Sequence, residues 1–356
     1  MSFLYLTADR IATETGGGIV TLNESEALES MGPCHIISRA EIGTEVYNRG
    51  VSISEPWGYD GIAESLVPVG VTLCHAYAGT FGKTIRRLKD MGAKVCYTIA
   101  AHDRVVSREE HERLGLLFPY PHLTDEALWR RYIEGYRLAD VIVCPGTVPA
   151  ATVRAYGPEF AAKRIKIIPH GCELPETVAP LPQTFVLGYC GAISADKGIV
   201  YLLQAWKKLA YKDAMLVIGG TGSMSPFMYQ LVEHFGGGNI HLAGWQTDMS
   251  RFYNGLSCYV QPSATEGFGI EVLEAMAHGR IAFCSEGAGA ADIVRPERRF
   301  VARDVDSLAS LIDYVRREAK SDGYLAHEGA MDRIRASAFT WDKIRERYCE
   351  LWRSMC

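Results

Sequence analysis

The sequence predicts an α/β protein with two parallel-sheet domains, and three observations support this prediction. Short apolar runs alternate with longer helical patterns along the chain, and the whole pattern occurs twice. A segment with three prolines and little periodicity, residues 173–182, separates the two halves. The length of 356 residues is enough for two domains with separate cores.

In the first half, strand-like apolar runs alternate with helical patterns, as in a parallel sheet covered by helices on both faces. The predicted strands are Phe3–Thr7, Cys34–Ser38, Val71–His75, Lys94–Ile99 and Val141–Cys144. The predicted helices are Gly17–Met31, Gly82–Met91 and Thr124–Leu138.

The second half repeats this alternation. The predicted strands are Phe185–Cys190, Met215–Ile218, Ile240–Leu242, Cys258–Gln261 and Ile281–Cys284. The predicted helices are Val200–Leu209, Ser225–His234, Phe268–Ala277 and Val305–Glu318, with an amphipathic helix from Phe339 to Trp352 at the end. We expect two Rossmann-like domains that face a cleft, because ligands of open parallel sheets bind beyond the carboxyl ends of the strands.

Composition and charge argue against several classes of protein. The formal net charge of -5 is against nucleic acid as the main partner. No apolar run approaches the length of a membrane span, and the N-terminus lacks the basic region of a signal peptide. The ten cysteines include no C-x-x-C pair, so we expect buried reduced thiols of a cytoplasmic protein and no zinc site.

The most informative stretch contains Glu266 and Glu274, eight positions apart, around a glycine-flanked turn. A strand ends before it at Pro262, and a helical pattern follows, so the stretch reads as strand, turn and helix start. The unpaired N–H groups of a helix N-terminus suit a phosphate, and carboxylates accept hydrogen bonds from paired sugar hydroxyls. Two such carboxylates predict a nucleotide-sugar site, whereas the alternative is a charged surface helix.

The run from Pro262 to Gly279 resembles the Glu-x7-Glu signature of the retaining glycosyltransferases of family 4, which have the GT-B fold. The resemblance implies transfer of a hexose-type sugar from a UDP-sugar or GDP-mannose to an acceptor hydroxyl, without a required metal or other cofactor. It implies that Glu274 binds the nucleotide ribose and Glu266 the donor sugar. The backbone of Gly267, Phe268 and Gly269 would hold the diphosphate, and Ile270 belongs to the same donor-binding set.

Other segments are similar to the family's donor-binding and catalytic segments. The donor-binding set adds Gly16, Gly17, Gly18, Gly191, Lys197, Gly220 and Trp245. Lys197 would neutralise the leaving diphosphate, and His102 would contact the transferred sugar. The alternatives are steric roles for the glycines at 16–18, a core or surface position for Trp245, and a loop histidine paired with Asp103.

The chain departs from the family pattern at Ala192, where an arginine is expected. Loss of one phosphate-binding cation costs about 2–4 kcal/mol of transition-state stabilisation. Arg10, Arg280 and Arg295 are too loosely placed in the sequence to be assigned to this role. The departure keeps open a non-catalytic sugar-nucleotide-binding or scaffold protein of the same fold, while the glycine fingerprint of a dehydrogenase is missing.

The resemblance also implies the domain plan and the partners. We expect an acceptor-side domain over residues 1–172, a linker over 173–184, a donor-side domain over 185–338, and a helix over 339–356 that crosses back. The acceptor is a sugar, a lipid-linked molecule or a small molecule, read by first-domain loops such as Arg104–Pro121.

Three further segments have simpler interpretations. The basic helix 82–91 is either a peripheral contact with the inner face of a membrane or a solvated face. We interpret Asp304-Val305-Asp306 as a helix cap and not as a metal site. His75 is expected to shape the cleft floor or the core. The oligomeric state is not predicted.

Overall fold

The computed structural model describes residues 1–12, 15–49, 58–77, 79–99, 103–115, 126–237 and 239–356. The chain divides into two compact units. The first unit comprises residues 1–101, 119–170 and 341–356, and the second comprises residues 102–118 and 171–340. The domain boundaries expected at residues 172, 184 and 338 stay predictions.

The first unit is built on a six-stranded parallel sheet with the strand order β2-β1-β3-β4-β5-β6. Its strands are β1 (Ser2–Thr7), β2 (Cys34–Ile37), β3 (Val71–Tyr77), β4 (Lys94–Thr98), β5 (Val141–Cys144) and β6 (Ile165–Ile167). Its helices are α1 (Gly16–Glu29), α2 (Arg39–Arg49), α3 (Gly58–Leu66), α4 (Gly82–Asp90), α6 (Glu126–Leu138), α7 (Thr147–Arg154), α8 (Pro158–Ala161) and α15 (Trp341–Arg353).

A buried polar network attaches the C-terminal helix α15 to the core of the first unit. Trp352 Nε1 donates to His75 Nδ1 at 3.1 Å, and His75 Nε2 lies 3.1 Å from a carboxylate oxygen of Glu24. Tyr348 and Thr98 join the network through their hydroxyls, 3.2 Å apart. Because an indole N–H can only donate, His75 Nδ1 is an acceptor and the proton lies on Nε2, toward Glu24. His75 is therefore a core residue.

The second unit contains another six-stranded parallel sheet, ordered β12-β11-β10-β7-β8-β9. Its strands are β7 (Phe185–Cys190), β8 (Ala214–Gly219), β9 (Ile240–Gly244), β10 (Cys258–Gln261), β11 (Ile281–Ser285) and β12 (Arg299–Phe300). Its helices are α5 (Arg104–Arg113), α9 (Ile199–Leu209), α10 (Pro226–Phe235), α11 (Met249–Asn254), α12 (Ile270–Ala277), α13 (Val305–Glu318) and α14 (Tyr324–Ala336).

The predicted fold class is confirmed: both halves contain a parallel sheet with helices between the strands. Four predicted elements have the same bounds in the structure, namely β5, β7, β10 and α13. The short edge strands β6 and β12 were not predicted, because runs of two or three residues show no periodicity.

The prediction of a loop at Arg104–Pro121 was wrong in its described part. Residues Arg104–Arg113 form helix α5, which is grouped with the second unit. The helix was missed because its buried face is polar: Ser107, Glu110 and His111 are buried, whereas Val105 is 48% exposed. A helix without an apolar stripe gives no periodic signal in the sequence.

The basic helix α4 packs its apolar side chains inward. Ile85 and Leu88 are fully buried, and on its outer face Arg86 pairs with Glu134. No helix in the described ranges is long and apolar enough to cross a membrane. Peripheral membrane contact through α4 stays a prediction, and it would rest on basic side chains because the apolar ones are used in the core.

Asp304 caps helix α13, as predicted. Its carboxylate accepts hydrogen bonds from the backbone N–H of Asp306 at 2.8 Å and of Ser307 at 3.0 Å.

Eight of the ten cysteines are buried, and Cys34 and Cys356 are the other two. The expectation that most cysteine thiols are buried is therefore confirmed.

Candidate donor-binding site in the second unit

The turn that carries Glu266 connects β10 to α12 and is held by backbone bonds. Glu266 donates its N–H to Gly287 O at 3.0 Å and accepts from Gly289 N–H at 3.2 Å. Gly269 has a φ of 88°, in the left-handed region that favours glycine, and it precedes the first residue of α12. These contacts give the Glu266 carboxylate a defined position beside the N-terminus of the helix.

The Glu266 carboxylate is surrounded by donors. One oxygen forms an ion pair with Lys197 Nζ and lies 3.3 Å from both Gln261 Nε2 and Ser263 Oγ. The other oxygen accepts from the Gly267 N–H at 3.1 Å. The Lys197 and Glu266 side chains are 20% and 11% exposed, so the pair is largely desolvated but still reachable by a ligand.

Lys197 reaches this turn because the residue after it is glycine. A 3-10 turn, Ala195–Lys197, ends at Gly198, whose φ is 72°. A Cβ atom on Gly198 would lie 1.9 Å from Pro262 O, so no side chain fits there. Burial acts to lower the pKa of Lys197, but Glu266 outweighs it and raises the pKa, so the ammonium stays charged.

Glu271 is a third carboxylate at this site, and sequence reasoning missed it. It lies in the first turn of α12, between the two predicted glutamates. Burial, and next the charge of Glu266, raise its pKa to about 7, although Lys197 acts in the opposite direction. At neutral pH a substantial fraction of Glu271 is therefore a neutral acid that can donate a hydrogen bond.

Glu274 is held by a tyrosine that the sequence reasoning also missed. The hydroxyl of Tyr253, a fully buried residue of α11, donates to Glu274 Oε2 at 2.7 Å. The imidazole of His278 packs beside Tyr253, with ring centroids 5.0 Å apart, and its Nδ1 lies 2.8 Å from the Glu274 carbonyl oxygen. Burial raises the pKa of Glu274, against the effect of Tyr253. One carboxylate oxygen of Glu274 is thus oriented by α11.

The other predicted members of this turn contribute backbone. Phe268 is 3% exposed and Ile270 is 8% exposed, so both side chains are in the core. Gly267 and Gly269 are also buried. What this segment offers a ligand is the backbone and the N-terminal end of α12.

The glycines after β7 and β8 allow two turns to touch through their backbones. Gly191 N–H donates to Gly219 O at 3.2 Å. Gly220 has a φ of 104°, and a Cβ atom there would lie 2.1 Å from Gly191 O. Both turns follow the carboxyl ends of neighbouring parallel strands, which is where ligands bind in such sheets. Ala192 is in the same turn, and its carbonyl accepts from the Tyr189 hydroxyl at 2.8 Å.

Two arginines of the second unit, Arg280 and Arg295, are engaged elsewhere and do not replace the arginine expected at position 192. Arg280 is 1% exposed, and its guanidinium donates to the carbonyls of Tyr253 at 3.0 Å and Ala179 at 2.9 Å. Arg295 is paired with Glu328. Lys197 is therefore the cation that the described part of this unit places against Glu266.

Three further predictions have different outcomes. Trp245 follows β9 and is 56% exposed, so the surface alternative describes its position in the free protein. Gly16, Gly17 and Gly18 begin α1 in the first unit, where a Cβ atom on Gly18 would lie 2.8 Å from Ala12 O. His102 lies outside the described residues, so its role stays a prediction.

The family comparison agrees with the position of this site. Residues 184–317 match the family model described as Glycosyl transferases group 1. The capsular polysaccharide biosynthesis glycosyltransferase CapM of Staphylococcus aureus is 28% identical over 179 residues, 47% of this chain and 47% of the relative. The lipopolysaccharide 1,2-N-acetylglucosaminetransferase of Salmonella typhimurium is 27% identical over 218 residues, 57% of each. The chain spans about half the length of these curated relatives.

Solved structures are similar over the whole chain. Sucrose-phosphate synthase from Thermosynechococcus elongatus has a TM-score of 0.75 at 19% identity and covers 99% of both chains. Anabaena HepE, solved in complex with UDP-glucose, has a TM-score of 0.69 at 15% identity and covers 99% of this chain. The GT-B fold implied by the Glu-x7-Glu run is confirmed. The chain has this fold, and its residues 184–317 are similar to the glycosyl transferases of group 1.

Proposed function

We propose that this protein is a retaining glycosyltransferase that moves a hexose-type sugar from a UDP-sugar or a GDP-sugar to an acceptor hydroxyl. The observation that carries the proposal is the pairing of Lys197 with Glu266 in the turn before α12, together with Glu274 of α12, which Tyr253 of α11 orients. A cation and a helix N-terminus suit a diphosphate, and two carboxylates suit the sugars on either side of it.

The diphosphate would bind between Lys197 and the N-terminus of α12. In the free protein, Glu266 balances the charge of Lys197. A diphosphate at this place would share the ammonium with Glu266, and the negative charge that develops on the leaving group would strengthen that contact. The backbone of residues 267–269 would contribute N–H groups, because the Phe268 side chain is buried in the core, and the Gly267 N–H would be shared with the Glu266 carboxylate.

The two outer glutamates would bind the sugars. Tyr253 occupies one oxygen of Glu274, which leaves the other to accept from a ribose hydroxyl. Glu266 would accept hydroxyls of the donor sugar, and His102 would contact the same sugar. Glu271, when protonated, adds no negative charge beside the diphosphate, which favours binding of an anion at neutral pH.

The reaction would proceed with retention by a same-face displacement. The leaving phosphate oxygen would accept the proton of the acceptor hydroxyl as the bond between the sugar and the phosphate breaks. The protein groups named here bind and orient the donor, and we expect no metal to be required.

The relatives named for capsular polysaccharide and lipopolysaccharide synthesis support a glycan or glycolipid acceptor, and the HepE complex supports a UDP-sugar donor. The non-catalytic alternative has less support, because Lys197 and the glutamates stay assembled around one site.

Calorimetric titration tests the proposal. UDP, GDP and ADP, each alone and as a sugar conjugate, are titrated into the wild type, Glu274→Gln and the control Glu233→Gln. Glu233 is an exposed glutamate of α10 in the same unit. We expect one base to be preferred, and Glu274→Gln to weaken its binding about tenfold or more while the control does not. Equal binding by all three proteins, or no binding at all, would refute the assigned site.

A further inference from the structure

One buried carboxylate of helix α5 lies at the centre of its hydrogen bonds to the rest of the second unit. Glu110 is 1% exposed, and both of its oxygens accept from the Tyr201 hydroxyl, at 3.0 and 2.8 Å. Arg113 and Arg303 each place a guanidinium nitrogen 3.2 Å from the same carboxylate. Burial, and next Glu110, raise the pKa of Tyr201 to about 12, so its hydroxyl remains a donor. Glu110 therefore joins α5 to α9 and to the segment before α13.

Arg303 adopts a backbone conformation that costs energy. Its φ is 67°, in the left-handed region that a non-glycine residue enters rarely. In this conformation its guanidinium reaches two glutamates of α5, Glu110 at 3.2 Å and Glu109 at 3.1 Å. A strained residue that bridges two carboxylates indicates that the position of α5 is specified and not incidental.

The N-terminus of α5 contacts the turn between β10 and α12 that carries Glu266. Asp103 caps α5 through hydrogen bonds from Val105 N–H at 2.9 Å and Val106 N–H at 3.1 Å. The N–H of Asp103 itself donates to Thr265 Oγ1 at 3.3 Å. Thr265 is 5% exposed and is the neighbour of Glu266 in the chain. A shift of α5 would therefore displace Thr265, the residue next to Glu266, whose carboxylate is assigned to the donor sugar.

We propose that Glu110 is a positioning residue for the sugar-binding half of the donor site. It holds α5, and through the contact between Asp103 and Thr265 it holds the turn that presents Glu266. The inference rests on the proposed function, because it assigns the turn to sugar recognition. The inference divides the site into a ribose part and a sugar part. Glu274 and Tyr253, in the ribose part, lie on α12 and α11. Helix α5 is bonded to Thr265, next to the Glu266 carboxylate of the sugar part.

This separation predicts a selective effect. Loss of Glu110 should weaken a nucleotide-sugar more than a free nucleotide, because the ribose contact at Glu274 lies on α12 and is oriented by α11, whereas α5 is bonded to the residue beside Glu266. The affinity for the nucleotide-sugar should fall toward that of the free nucleotide. A general loss of folding would instead weaken both ligands together.

The experiment measures UDP and UDP-glucose binding, or GDP and GDP-mannose if the wild type prefers GDP. The variants are Glu110→Gln and the milder Tyr201→Phe, and the control is Glu112→Gln, an exposed position of the same helix. For the first two variants we expect nucleotide-sugar affinity to fall roughly fivefold or more, with free-nucleotide affinity within about twofold of the wild type. The control should match the wild type for both ligands.

The outcomes distinguish the two proposals. Unchanged affinity for the nucleotide-sugar, or an equal loss for both ligands in Tyr201→Phe, would overturn the role of Glu110 while the donor site itself stands. A wild type that binds neither ligand of either pair would refute the proposed function, and the inference would fall with it. Melting temperatures of all variants show whether a loss reflects folding.

Discussion

Replacement of Glu271 by glutamine should stabilise the protein, and more so as the pH rises. Burial and the neighbouring charge of Glu266 raise the pKa of Glu271 to about 7, from 4.5 for an ordinary glutamate. The folded state therefore binds a proton that the unfolded state has already released at neutral pH. Glutamine has nearly the same shape and remains neutral at every pH, so Glu271→Gln removes this penalty and keeps the packing.

The sign and size follow from proton linkage. Below about pH 4.5 the carboxyl is protonated in both states, and the wild type carries no penalty. Between about pH 4.5 and 7 only the unfolded state loses the proton, so the wild type loses stability relative to the variant. Well above pH 7 the difference levels off, at about 3–4 kcal/mol for this change in pKa. Between about pH 5 and 8 it should grow by about 2–3 kcal/mol.

Urea denaturation at these two pH values, followed by circular dichroism, measures the difference directly. The control is Glu233→Gln, which changes the net charge equally at an exposed position of the same unit. The variant should have a much higher urea midpoint than the wild type at the higher pH, and a midpoint only slightly higher at the lower pH, where the expected difference is below about 1 kcal/mol. A difference in midpoint that is the same at both pH values would refute the perturbed titration of Glu271.

Three further substitutions test the site and the fold. Lys197→Met should weaken nucleotide-diphosphate binding on the order of tenfold or more in calorimetry, because the ammonium of the diphosphate site is lost, whereas the exposed Lys207→Met should have no effect. Gly198→Ala should lower the free energy of unfolding by about 2–4 kcal/mol in urea denaturation, and an unchanged midpoint would contradict the close backbone contact at that residue. Trp352→Phe leaves His75 Nδ1 buried without its donor and should cost about 1–3 kcal/mol, with no cost if the network is incidental.

The architecture could be predicted from the sequence because buried parallel strands are continuous apolar runs. Strands such as β7 and β10 are buried on both faces, and their predicted bounds match the structure. Helix α5 could not be predicted in the same way. Its buried face consists of polar residues whose partners, such as Tyr201 and Arg303, are remote in the chain. Hydrogen bonds of this kind leave no periodic pattern.

Some residues of the candidate site could likewise be predicted from the sequence, and others could not. The Glu266 turn could be predicted because glycines and a helix start leave a local pattern in the sequence. Tyr253 could not, because its hydroxyl reaches Glu274 from a different helix, 21 positions away in the chain. Glu271 was visible as a residue, but its raised pKa depends on burial and on Glu266, which only the folded chain brings together.

A crystal structure of the protein with its preferred nucleoside diphosphate bound tests the central claim most directly. The account predicts the ribose hydroxyls within hydrogen-bond distance of the Glu274 carboxylate, and the phosphates between Lys197 and the first turn of α12. It also predicts that the hydroxyl of Tyr253 still donates to Glu274. A nucleotide bound elsewhere, or bound with its ribose away from Glu274, would contradict the account.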